Sequence, residues 1–311
     1  MDSLGPGGCA LKPDSPLVTV GLSIYNGAVT IADAVNSIRA QTYKNWELIL
    51  IDDGSSDESA RIAKTLLDPR IIALSDGMNK GLSARLNEAV ALAKGKYFCR
   101  MDQDDISFPH RLATQVNFLE ANPNIDLIAS SVVVFRDDGC LTGVIEVSQR
   151  HEVIVRQSWK GFYFPHPSWM GKKSWFAYHG YQSAADGAED QLLLYSAFET
   201  SRFAGLREVL LAYREDQRSF SKMYKRRLIF WRSIGKEALA RRKLKDTFLL
   251  STLQPLRIVG DLLNIGLHIK FARNSLGPVD AQTASTWADI WPSVDTGQVP
   301  PSVVNTKFES K

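Results

Sequence analysis

The chain has few of the features that settle a protein's class at sight. Only three of its 311 residues are cysteine, Cys9, Cys99 and Cys140. Their odd number and wide spacing argue against a disulfide framework and against a cysteine-built zinc site, and fit a reducing compartment. No uncharged run is long enough to span a bilayer, and Met1 to Pro16 has no basic stretch leading into an apolar one. Neither a membrane span nor a secretory signal is expected, so the predicted location is cytoplasmic, free or peripheral on the inner face of the cell membrane. A net charge of +3 is too small to draw nucleic acid by itself, and none is expected as a partner. The glycine loops that cradle phosphates are missing too. No Gly-x-Gly-x-x-Gly follows the first predicted strand and no Gly-x(4)-Gly-Lys-Ser/Thr occurs, which weakens dehydrogenase and P-loop readings.

What is present is globular material, 44% apolar and 23% charged, with enough chain for one large domain or two smaller ones. After a Gly- and Pro-rich lead-in over residues 1–15, an apolar strand runs from Leu17 to Tyr25, followed by a helical stripe of Ile31, Ala34, Val35 and Ile38. Glu47 to Ile51 is a second strand, closed by Asp52-Asp53-Gly54. Ser55-Ser56-Asp57-Glu58 offers a capping box for a second helix carrying Ile62, Leu66 and Leu67. Arg70 to Leu74 is a third strand, and a helix from about Leu82, striped by Leu86, Val90 and Ala93, is expected to end with Gly95 as its C′ residue. Tyr97 to Met101 follows as a fourth strand. This alternation predicts βαβ units around a parallel sheet, an α/β fold whose ligands bind beyond the carboxyl ends of the strands.

Three polar groups fall on that edge: Ser23 to Asn26, Asp52-Asp53, and Asp102-Gln103-Asp104-Asp105. Three carboxylates within four positions raise one another's pKa unless a cation or donors neutralise them, so the last group suggests a divalent metal with anionic oxygens beyond it. Alone, it reads equally well as a solvated acidic turn.

Taken together, Ser23-Ile24-Tyr25-Asn26, Ile51 to Asp57, Asn79 to Asn87, Arg100 to Asp105, Phe164-Pro165-His166-Pro167-Ser168, Ala188-Glu189-Asp190, Val209 to Arg214 and Gln217-Arg218-Ser219 resemble the successive motifs of family 2 glycosyltransferases of the bacterial polysaccharide type. The resemblance covers about Pro16 to Ser221 and departs at Asp216, where many relatives carry His. It implies the GT-A nucleotide-diphospho-sugar transferase fold, a Rossmann-like mixed sheet flanked by helices, with a helical C-terminal extension. It also implies an inverting enzyme that takes a UDP-, GDP- or dTDP-linked sugar as donor, with Mn2+ or Mg2+, and a saccharide or lipid-linked saccharide as acceptor. By that resemblance Ser23, Tyr25, Asp52, Asp53 and, more weakly, Arg85 bind the nucleotide, Asp102 the ribose, and Asp104 with Asp105 the metal. Asp190 is the general base, with His166 and Glu189 on the acceptor side or behind it. On residue type alone, Glu189-Asp190 at a helix start would be read as macrodipole partners worth about 0.3–1 kcal/mol.

The aromatic residues Trp159, Phe162, Tyr163, Phe164, Trp169 and Trp175 divide evenly between core packing and a sugar-stacking groove. The domain of residues 16–221 is followed by a basic, amphipathic region over 222–271. That region reads either as a helix packed back on the domain or as a surface for anionic membrane. From 272 to 311 the composition predicts a poorly ordered tail.

Overall fold

The computed structural model describes residues 15–66, 68–215, 220–253 and 276–295, so the readings made for Cys9, Leu67 and Asp216 to Ser219 lie outside the described residues. The first half follows the predicted alternation: β1 (Val18–Ile24), α1 (Ile31–Arg39), β2 (Trp46–Asp52), α2 (Ser59–Thr65), β3 (Ile71–Ser75), α3 (Leu82–Leu92), β4 (Tyr97–Met101), β5 (Ile106–Ser107) and α4 (Arg111–Ala121). The second half departs from it. It comprises β6 (Leu127–Phe135), β7 (Leu141–Ile145), α5 (His151–Ile154), β8 (Met170–Lys172), α6 (Lys173–His179), α7 (Glu189–Ala197), β9 (Phe203–Arg214), α8 (Phe220–Ala240), α9 over 244–253 and α10 (Ala281–Asp295).

All nine strands join one mixed sheet in the order β3-β2-β1-β4-β8-β6-β9-β5, with β7 attached to β6. The pairs β3-β2, β2-β1 and β1-β4 are parallel, whereas β8 runs antiparallel to both β4 and β6. Strand periodicity divides the interior into two layers. Val18, Val20, Leu22 and Ile24 of β1, with Tyr97, Cys99 and Met101 of β4, face one core with α1 and α4. Phe98 joins the opposite core with α3, α6 and α7.

Three local expectations are corrected. The capping box does not form: α2 starts at Ser59 with Glu58 before it and no side-chain cap, because Ser55 Oγ instead accepts the Asn26 N–H. Gly95 is not a left-handed helix terminator. Its place is fixed by close approach, since a Cβ there would lie 2.6 Å from the Thr19 nitrogen and 2.8 Å from the Leu17 carbonyl oxygen. The tail expected from residue 272 contains α10, which buries Trp287 and Ile290 against Phe135, Ile106 and Ala212. Trp287 also donates to the Gly139 carbonyl at 2.8 Å. Trp287, Ile290 and Trp291 share one helical face, a spacing hidden in the sequence by the surrounding Ser, Thr and Pro.

The aromatic concentration resolves toward core. Phe162, Phe164, Trp169 and Trp175 are buried and Trp159 packs against them, while Tyr163 remains exposed. Helix α8 likewise packs on the domain through Ile234 and Ala238, leaving its basic face outward.

Candidate active site

The carboxyl ends of β1, β2 and β4 meet at one rim, as parallel pairing in register requires. At the end of β2 the two acids have separate tasks. Asp52 holds its own turn, accepting from the Ser55 N–H at 3.3 Å and the Ser75 hydroxyl at 2.8 Å. Asp53 clamps the loop after β3. One oxygen accepts the Lys80 N–H at 2.7 Å and Arg85 Nε at 2.8 Å, and the other accepts the Gly81 N–H at 3.0 Å. Arg85, 1% exposed, also pairs with Asp76 at 2.6 Å and Glu88 at 2.8 Å. A buried guanidinium carrying three carboxylates is fully compensated, which is the condition for keeping a charge out of water.

Tyr25 follows the last residue of β1 and is 49% exposed. Gln103, in the middle of the acidic turn, bonds its backbone on both sides, accepting the Tyr25 N–H at 2.8 Å and donating to its carbonyl at 3.1 Å. The Gln side chain thus acts as a missing strand and ties Tyr25 to the acids.

Ligand atoms of Asp102, Asp104 and Asp105 lie within 4.8 Å of one another. Asp105 is 1% exposed; its Oδ1 accepts the Arg214 N–H at 3.1 Å, but its Oδ2 has no hydrogen-bond partner among the described residues. Burial, then the charge of Asp102, pushes Asp104 up to about 6, and the same causes hold Asp105 well above the usual carboxylate range. An orphaned buried oxygen among three mutually repelling carboxylates, all hard oxygen donors, fits a divalent cation such as Mn2+ or Mg2+. Arg214 supports the turn from β9, donating from Nε to the Asp104 carbonyl at 3.0 Å while its guanidinium lies 4.7 Å from the Phe135 ring centre.

Glu189 and Asp190 open α7 and diverge as consecutive helical residues must. Glu189 is buried, accepts the Gly187 N–H at 2.6 Å and lies 3.7 Å from His166 Nδ1. Burial and the Asp190 charge raise it to about 7. Asp190 is partly exposed and accepts from Gln191 Nε2 at 2.8 Å; burial raises its pKa as well. His166 is no metal ligand in this arrangement. Its Nε2 lies 2.9 Å from the Tyr181 hydroxyl, and burial, then the nearby Arg100 charge, keeps the ring neutral by lowering its pKa well below the ordinary value.

The two halves are linked by residues to which no role attaches on motif grounds. Asp186 accepts the Ser83 N–H at 3.1 Å, so the loop before α7 caps the helix that carries Arg85. Arg111 of α4 donates to the Arg100 carbonyl at 2.7 Å and the Pro167 carbonyl at 2.8 Å, joining the acidic strand to the His-Pro-Ser turn. Arg100 itself, in an otherwise apolar strand, is paired with Asp102. A lone arginine inside Tyr97-Phe98-Cys99-Arg100-Met101 was the available signal, and only the unlike neighbours mark it.

The mixed sheet with acids gathered at the carboxyl ends of its parallel strands has the GT-A fold, which it shares with solved glycosyltransferase structures. Residues 19–180 match the family description "Glycosyl transferase family 2", and the chain belongs to that family. It is 36% identical over 214 residues to EpsE of Bacillus subtilis, covering 67% of this chain and 76% of that one. A 104-residue stretch, 33% of this chain and 41% of the other, is 36% identical to WfaP of Escherichia coli, named a UDP-Glc:alpha-D-GlcNAc-diphosphoundecaprenol beta-1,3-glucosyltransferase. Among solved structures, the mannosyltransferase PcManGT of Pyrobaculum calidifontis, in complex with GDP-Man and Mn2+, aligns with TM-score 0.59 at 18% identity over 96% of this chain and 89% of its own. TarS of S. aureus residues 1–349 with UDP-GlcNAc aligns with TM-score 0.58 at 15% identity over 91% and 81%. At these identities the two structures speak for the fold.

Proposed function

We propose that the chain is an inverting glycosyltransferase that moves a sugar from a nucleoside diphosphate to a hydroxyl of a saccharide or lipid-linked saccharide, in the synthesis of cell-surface polysaccharide or glycolipid. The observation that carries this reading is the acidic turn with its orphaned Asp105 oxygen on the rim that also holds the Asp53 clamp. Asp104 and Asp105 would hold the divalent metal and Asp102 the ribose; the cation supplies positive charge for the departing diphosphate. The exposed ring of Tyr25 is free to stack on the base, and the second Asp53 oxygen, with one donor, keeps room to accept a ring N–H. Ser23 stands one residue before the end of β1, opposite Ile51 and next to the Ile24–Asp52 pair. WfaP is named for a UDP-sugar and a diphosphoundecaprenol-linked sugar, and the two solved structures are complexes with UDP-GlcNAc and GDP-Man, in keeping with this class.

Asp190 is assigned as the base that accepts the acceptor hydroxyl's proton on a carboxylate oxygen. Its partial exposure lets an acceptor reach it, and its raised pKa makes it a stronger base than a solvated aspartate. Glu189, buried against Gly187 and His166, braces the helix start instead. The test compares Asp190→Asn with Glu189→Gln in transfer and in donor binding by calorimetry. Asp190→Asn should lower kcat by about 10²–10⁴-fold with donor affinity nearly unchanged. Near-normal transfer in Asp190→Asn together with loss in Glu189→Gln would move the base to Glu189.

The outward face of α8 and α9 supports a peripheral contact with an anionic membrane. Lys236, Arg242 and Lys245 are exposed there beside Leu239, Leu244 and Phe248, the mixture of cation and apolar side chain that lies in a lipid interface. Among the described residues no helix is long and apolar enough to cross a membrane. Replacing Leu244 and Phe248 by Ser should release the protein from phosphatidylserine vesicles without changing donor hydrolysis. Unaltered sedimentation with such vesicles would count against this surface.

A further inference from the structure

Arg100 is the one cation on β4, and its surroundings are not those of a surface ion pair. It is 3% exposed, and strand alternation puts it with Phe98 on the face of the sheet lined by Trp169, Tyr181 and α7. Its neighbour across β1 is Gly21, which carries no side chain to meet it. The guanidinium is paired with Asp102, yet its Nε has no hydrogen-bond partner among the described residues. A buried guanidinium with five donors and so few aligned acceptors is held by charge, not by hydrogen-bond geometry. The groups that feel this charge lie on both sides of the site: Asp104 and Asp105 on the acidic turn, and Glu189, Asp190 and His166 on the other.

Resting on the metal reading of the acidic turn, we propose that Arg100 is a built-in counter-cation, a positioning residue that pairs with Asp102 in the metal-free protein and whose fixed charge opposes the divalent metal that Asp104 and Asp105 would hold. Three carboxylates within one ligand sphere would repel one another and spread apart if nothing positive stood behind them. Arg100 pulls Asp102 inward from below the rim, so the acids are already gathered when the cation arrives from solvent. The cost is a reduced metal affinity, since a fixed positive charge beside the ligands repels the incoming ion. Metal then binds most firmly when the donor's diphosphate adds negative charge, which couples metal binding to donor binding.

Charge competition and simple structural support predict opposite signs. Mn2+ titrations by calorimetry, without donor, would be run on the whole chain as wild type, Arg100→Met, Arg100→Gln and Arg100→Lys, each first checked for native near-ultraviolet dichroism. Arg100→Met and Arg100→Gln remove the charge and should bind Mn2+ roughly tenfold more tightly, or better. The gain in Mn2+ affinity on adding nucleoside diphosphate should shrink in the same variants. Arg100→Lys retains the charge and should stay within about threefold of the wild type. Should Arg100→Met fail to fold, the smaller change to Gln, which can still donate to Asp102, decides the matter. Weaker or unchanged Mn2+ binding in the folded charge-removing variants would overturn the proposal while leaving the metal site standing. A wild-type protein that binds no Mn2+, even with nucleoside diphosphate present, would remove the metal reading itself and this inference with it.

Discussion

The two acidic corners of the rim carry similar residues and are built on opposite principles. At the end of β2, the charge of Asp53 is already compensated: two backbone N–H groups and the buried Arg85 hold it, and Asp76 and Glu88 complete the guanidinium. At the end of β4, three carboxylates face one another with Arg100 behind and an unpartnered oxygen on Asp105. The charge of the first corner is neutralised by the protein alone, so it supports stability even before a nucleotide arrives. The second is left electrostatically incomplete, and the missing charge is what the proposed cation would bring. Equal density of acid in a sequence therefore says little about function until the donors have been counted.

The sharpest way to break the comparison is to make the same substitution at both corners. Asp104→Ala should abolish Mn2+- or Mg2+-dependent donor binding, measured by calorimetry, while leaving metal-free stability unchanged or higher because a repulsion is removed. Unchanged donor affinity would show that the acidic turn is not the metal site. Asp53→Ala should destabilise the metal-free fold and, as the loss of a proposed base contact, weaken donor binding without removing its metal dependence. It strands Arg85 and two backbone donors, and urea unfolding should show a loss of about 3 kcal/mol in the absence of any metal. A loss near zero would mean that Asp76 and Glu88 alone compensate the guanidinium.

Next in size comes stabilisation by the metal itself. At a concentration of about 100 times Kd, a cation that binds only the folded state adds about 2.7 kcal/mol. Mn2+ should raise the melting temperature of the wild type and of Asp53→Ala but not of Asp104→Ala. An equal rise in all three would place the ion elsewhere.

The smallest effect concerns Glu189, whose carboxyl is raised to about 7 in the fold from an ordinary value of 4.5. A raised carboxyl means that the folded state holds the proton more tightly, so this group lowers stability as pH rises from about 4.5 to 7 and the loss stays constant above that. Glu189→Gln should melt at a higher temperature than the wild type at pH 8, and the difference should vanish near pH 4. A pH-independent difference would show that Glu189 is not the buried titrating group.

The first four strands and the helices between them were legible because each element carries its own period: alternating or continuous apolar runs for β1, β2 and β4, and a stripe of Leu86, Val90 and Ala93 for α3 and its C-terminal end. The second half was less legible. Strand β8 is three residues long, and its antiparallel place between β4 and β6 depends on partners distant in the chain. Helix α10 gains its stability from Phe135 and Trp287 in contact, with ring centres 4.8 Å apart, a pairing between residues far apart in sequence. The candidate site divides in the same way. Local spacing put Asp102, Asp104 and Asp105 side by side, since a strand end followed by a tight turn brings near neighbours together whatever the rest of the chain does. The sequence by itself thus determined which residues crowd at each strand end. Only the tertiary structure decided which of those crowds is neutralised, because the donors that settle it, Arg85 for Asp53 and Arg214 for Asp105, act across loops and strands whose approach depends on long-range packing that no local pattern encodes.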